Sequence, residues 1–100
     1  EKPRLVRDLG DKRFLMLRNH GTLTVGRSVA DAFLSMYFFE AACMIQVRAQ
    51  AGGGPLRLIG DDVLAGAHVQ FSRVTKGVGG RLAWPALLRK LDRCDPGYRS

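Results

Sequence analysis

The chain passes through three regimes of hydrophobic and polar residues. Arg4 to Leu9, closed by Gly10, reads as the last turns of a helix begun upstream, with the glycine in the left-handed C-terminal capping position. Phe14, Leu15, Met16 and Leu17 then form an unbroken apolar run between charges, which predicts a short buried strand over Arg13 to Leu17. Thr22-Leu23-Thr24-Val25 alternates polar with apolar and predicts a second strand. Asn19-His20-Gly21 falls where the first strand ends and the chain reverses, and Asn and Gly are the residue types that tolerate positive φ at such a turn.

The second regime is helical. Ser28-Val29-Ala30-Asp31 has the spacing of a capping box, a hydroxyl and a carboxylate placed to satisfy free N–H groups at a helix start. From Val29 to about Ala51 there is neither Pro nor Gly, so the segment predicts a helix of roughly 35 Å at 1.5 Å per residue, stopped by Gly52-Gly53-Gly54-Pro55. Phe33, Met36, Tyr37, Glu40, Cys43, Met44 and Val47 follow one face, while Leu34, Phe38, Ala41, Ala42 and Ile45 follow another. A helix apolar on two faces is buried on two sides. One side covers the sheet; the other meets either a second helix or a neighbouring subunit.

The third regime is weaker. Leu56 to Ile59 is a short extended piece, and Asp61 or Asp62 caps a helix to about Val74 with Val63, Leu64, Ala67 and Phe71 inward. His68 lies within it, without acidic or Cys companions, and reads as a surface or packing residue. Thr75 to Gly80 is a loop without a phosphate-binding glycine pattern. Leu82 to Arg93 predicts a last helix with Trp84, Leu87, Leu88 and Leu91 inward and Pro85 in its first turn, ended by an Asp95-Pro96-Gly97 turn. No repeat or domain-separating linker occurs.

Composition narrows the class of function. One hundred residues with 46% hydrophobic and 25% charged content suit one small domain or part of a larger one. The start at Glu1-Lys2-Pro3-Arg4 carries no signal-peptide pattern, and Asp31, Glu40 and Arg48 interrupt the most apolar segment, so a soluble chain without a membrane span is expected. The net charge of +7 permits non-specific attraction to nucleic acid, but the basic residues are scattered and not interleaved with aromatics, so nucleic-acid binding is not expected. Cys43 and Cys94 lack metal spacing; both are expected to be reduced, in a cytoplasmic setting.

The candidate chemistry centres on His20, which projects from the end of a sheet. A lone histidine does not make a metal site; imidazole needs companion ligands. The blocks Leu17-Arg18-Asn19-His20-Gly21, Val25-Gly26-Arg27-Ser28-Val29, Ala32-Phe33 and Ala42-Cys43-Met44-Ile45-Gln46-Val47-Arg48 resemble the class II aldolase/adducin family. Trp84-Pro85-Ala86-Leu87-Leu88-Arg89-Lys90-Leu91-Asp92-Arg93 resembles the end of its adducin-like bacterial members. The resemblance implies an α/β fold: the C-terminal portion of a three-layer α/β/α domain, with residues 1–100 supplying two strands, one long helix and two further helices.

The resemblance also implies chemistry. In such enzymes the histidine of the NHG turn, here His20, is one of three histidines on a divalent metal, usually zinc, which polarises a carbonyl or the oxygens of an enediolate. The other two histidines, in an HxH motif, and the acidic catalytic residue belong to sequence upstream of these blocks. No catalytic acid or base is identified in this chain. The implied function is therefore part of a metal-dependent lyase acting on a small molecule, a sugar phosphate or related carbonyl compound, in a homo-oligomer of ring-shaped tetramer type. The alternative is a non-enzymatic assembly module like the adducins, which associate with the spectrin–actin cytoskeleton.

Overall fold

The computed structural model describes residues 2–99, and the side chains of all of these except His68, Phe71, Ser72 and Thr75. In chain order the elements are α1 (Lys2–Leu9), β1 (Phe14–Leu17), β2 (Gly21–Thr24), α2 (Val29–Gln50), α3 (Asp61–Thr75) and α4 (Gly79–Cys94), followed by a 3-10 turn over Pro96–Arg99. The architecture is α/β: an antiparallel hairpin, the long helix and the helices that follow it, as the sequence pattern predicts.

Local chemistry accounts for most boundaries. Gly10 ends α1 at φ 56°, its N–H donating to the Val6 carbonyl at 3.0 Å. Strands β1 and β2 pair in the register Phe14↔Thr24, Leu15↔Leu23, Met16↔Thr22 and Leu17↔Gly21. Val25 N–H donates to the Arg13 carbonyl at 3.0 Å, carrying the ladder one step past each strand. Ser28 caps α2 with its Oγ, which accepts from Asp31 N–H at 3.1 Å and donates to Asp31 Oδ2 at 2.9 Å. The carboxylate thus braces the capping hydroxyl, where a full capping box would have it accept from the Ser28 backbone N–H.

Helix α2 meets two neighbours. Its hairpin side carries Ala32, Met36, Phe39 and Glu40: Phe39 stacks edge-on against Phe14 at 5.3 Å between ring centroids, and Thr24 Oγ1 donates to the Ala32 carbonyl at 2.9 Å. Phe39, absent from both predicted stripes, is therefore part of the contact. The side towards α4 carries Phe33, edge-on to Trp84 at 5.5 Å, and Leu34, which lies over Gly79.

Three expectations are corrected. The predicted loop to Gly80 ends earlier, because Gly79 and Gly80 begin α4. A Cβ on Gly80 would come within 2.7 Å of Ala30 C and Asp31 N, so only glycine lets the two helix starts cross this closely. This places Pro85 in the second turn of α4 rather than the first. The inward positions assigned to α3 are open: Val63 and Leu64 are exposed, and Phe71 lies outside the described side chains. Finally, α2 is 22 residues long with a hydropathy of 1.2 over its best window, so by length and composition alone it is apolar enough to cross a membrane. Core helices of soluble domains meet the same condition, and the charged residues that were expected to disqualify α2 are engaged here: Asp31 with Ser28, Glu40 with Thr22.

Candidate metal centre

The His20 turn is built by three residues between paired strands. With Leu17 opposite Gly21, the chain must reverse over Arg18, Asn19 and His20. Asn19 takes φ 64° and Gly21 φ 132°, the two positive-φ positions that the residue types predict. His20 N–H donates to the Leu17 carbonyl at 3.4 Å and closes the turn.

The ring of His20 is exposed, and its Nδ1 lies 3.2 Å from the Arg18 carbonyl oxygen. A carbonyl can only accept, so this bond requires the proton on Nδ1. The neutral ring then has its lone pair on Nε2. That is the tautomer a metal-binding imidazole adopts when its second nitrogen is held by an acceptor.

Nothing else among the described residues completes a site. Among the described residues, no three His, Cys, Asp or Glu side chains converge as a metal-binding group. Cys43 is half-buried in α2 and Cys94 exposed at the end of α4, both as free thiols. His68 lies on α3, and its side chain, with the surface or packing role expected of it, lies outside the described residues.

One polar contact near the turn is not evident from the sequence pattern. Thr22 Oγ1, on the strand leaving the turn, donates to Glu40 Oε1 on α2 at 3.0 Å, with Met36 Sδ at 3.2 Å. The available signal was Glu40 itself, a charge in an apolar helix, which must find a partner or water. At the opposite end of the hairpin a cleft of about 800 Å³, lined by Phe14, Val25, Leu34 and Phe38, opens between the α1–β1 loop and the starts of α2 and α4. His20 does not line it.

The comparisons with known proteins bear on the fold and the family. The family model for the class II aldolase and adducin N-terminal domain matches residues 2–47, from α1 almost to the end of α2. A class 2 aldolase-like protein of Pseudomonas aeruginosa is 54% identical over 102 residues, covering 99% of this chain and 39% of that protein. A second such protein, from Caulobacter vibrioides, is 47% identical, covering 98% of this chain and 38% of its own length. Alpha-adducin of Rattus norvegicus is 38% identical across the whole chain, which corresponds to 15% of the adducin. The crystal structure of an aldolase II superfamily protein from Pseudomonas syringae superposes on the entire chain with a TM-score of 0.85 at 42% identity, over 40% of that structure. The chain thus spans about two fifths of the length of these bacterial relatives. Sequence identity over all its elements and the shared arrangement of hairpin and helices together establish that the chain belongs to the class II aldolase and adducin family.

Proposed function

We propose that this chain supplies the His20 ligand of a divalent-metal-dependent, class II aldolase-like lyase acting on a sugar phosphate or a related carbonyl compound. The observation that carries the reading is the His20 turn: an exposed imidazole whose Nδ1–H is occupied by the Arg18 carbonyl and whose Nε2 is left free. That donor fits zinc, which favours neutral imidazole nitrogens, and the resemblance would make it one of the family's three histidine ligands.

A bound divalent cation supplies Lewis-acid polarisation of a substrate oxygen. The residues of this chain do the positioning. Arg18 fixes the tautomer and rotation of the ring through its carbonyl; Asn19 and Gly21 give the turn the positive φ angles that bring His20 to the end of the sheet. The proton-transfer group and the remaining ligands come from outside residues 1–100 on this reading. Zinc as the metal, a homotetramer as the assembly and a reducing cytoplasm as the setting belong to the same proposal, supported by family membership and by the two free thiols.

Assay of the full-length protein tests it. Cleavage of a phosphorylated ketose should stop on removal of metal by a chelator and return with zinc. Cleavage that survives complete metal removal would overturn the proposal. A second reading, a non-enzymatic assembly module, is favoured by the alpha-adducin similarity over the whole chain. Metal bound at full stoichiometry with no cleavage of any carbonyl substrate would support that reading instead.

A further inference from the structure

Between Asp31 and Arg48, α2 carries one charged side chain, Glu40. Its carboxylate and the thioether of Met36 both lie within reach of Thr22 Oγ1, at 3.0 and 3.2 Å. A hydroxyl has a single hydrogen, and an ionised carboxylate accepts it far better than a thioether sulfur does. The bond is therefore Thr22 to Glu40, with Met36 as a close neighbour.

Its position matters more than its strength. Leu17↔Gly21 is the pair that closes the His20 turn, and Thr22 is the next ladder residue beyond it. Arg18, Asn19, His20 and Gly21 are all exposed, so packing does little to hold the turn. The Arg18 carbonyl orients the imidazole within the turn but cannot orient the turn itself. Among the described residues, Thr22–Glu40 is the side-chain hydrogen bond nearest to His20 that crosses from the hairpin to another element. Thr24, bonded to the Ala32 carbonyl, fastens the far end of the same strand. Strand β2 is thereby tied to α2 at two points, and the one beside His20 depends on a carboxylate.

We propose that Glu40 is a positioning residue for the metal site, holding Thr22 and hence the His20 turn in register with α2 so that Nε2 has a fixed direction. The proposal rests on the reading of His20 as a metal ligand. A tetrahedral zinc site demands ligand directions that a freely swinging turn does not maintain. The predicted consequence is on metal affinity and ligand geometry rather than on folding, since Thr22 and Glu40 are not in a packed core.

The test uses the full-length protein, with zinc affinity measured by chelator competition and ligand geometry by the visible absorption of the cobalt(II)-substituted form. Thr22→Val and Glu40→Leu remove the bond from its two ends, so either suffices if the other fails to fold. Each should weaken zinc by about tenfold, the lower range for groups that orient a ligand, and alter the cobalt bands. The double variant should be no worse than either single one, and Thr22→Ser and Glu40→Gln, which keep a donor and an acceptor, should lie near wild type. A merely structural role would change stability and leave the cobalt spectrum untouched. His20→Ala, measured in parallel, separates the two readings. If it keeps zinc at wild-type affinity, the ligand assignment fails and the positioning role falls with it. If it loses zinc while Thr22→Val and Glu40→Leu retain wild-type affinity and spectrum, the positioning role alone is overturned.

Discussion

Gly80 shows how much one missing methyl group can decide. It is the buried residue of α4, and it sits where the starts of α2 and α4 cross. An alanine Cβ there would meet Ala30 C and Asp31 N at 2.7 Å, with Asp31 Oδ1 closer still; the carboxylate could swing aside, but the backbone atoms could not. Gly80→Ala should destabilise the full-length protein by about 1–3 kcal/mol, the usual cost of overpacking. Gly66, also inside a helix, has nothing within 4 Å of its built Cβ, so Gly66→Ala should instead stabilise by about 0.5–1 kcal/mol. Denaturant titration of the two variants checks both signs. The contrast also marks what sequence can reveal at this scale. Asn19 and Gly21 are legible because a hairpin turn states its φ requirement locally. Gly80 is not, because its requirement comes from a helix some fifty residues away.

Among the elements, α2 was read almost to its ends because every signal for it is local: Ser28 at the start, twenty-two residues free of Pro and Gly, then three glycines. Ser28→Ala should cost about 1 kcal/mol, removing the oxygen that accepts from Asp31 N–H. Loss of helix stability on urea unfolding would register it; an unchanged midpoint would mean that α4 holds the start of α2 unaided. The division of the α2 surface was less legible. A helix apolar all round offers no single stripe, so which residues meet the hairpin is fixed by tertiary placement, and Phe39 went unassigned for that reason. The start of α4 is not legible in the sequence, because a glycine pair signals a loop unless a neighbouring helix needs the space.

At the scale of the whole chain, surface area is decisive. The described residues expose 8879 Å², whereas a compact monomer of 11.0 kDa exposes about 5,600 Å². The radius of gyration, 16.7 Å, likewise exceeds the roughly 13 Å expected of a compact hundred-residue domain. No hydrophobic side chain among the described residues is fully buried, and Ile45 and Val47 on α2 stay 64% and 67% exposed. A two-stranded sheet with one long helix cannot close a core around such surface. Residues 1–100 alone should therefore be poorly stable or self-associate through α2; a cooperative, monomeric unfolding transition would contradict this. Cys43 and Cys94 should both titrate as free thiols in freshly purified protein, and a disulfide between them would refute the reducing setting.

The role given to His20 was legible only by resemblance, since one imidazole at a turn carries no ligand set with it. It is tested most directly by the metal content of the full-length protein, determined for wild type and His20→Ala purified side by side. Wild type should carry about one divalent metal per chain. His20→Ala should fold, by circular dichroism, yet lose most of that metal, while His68→Ala should keep it. Equal metal content in wild type and His20→Ala would contradict the account.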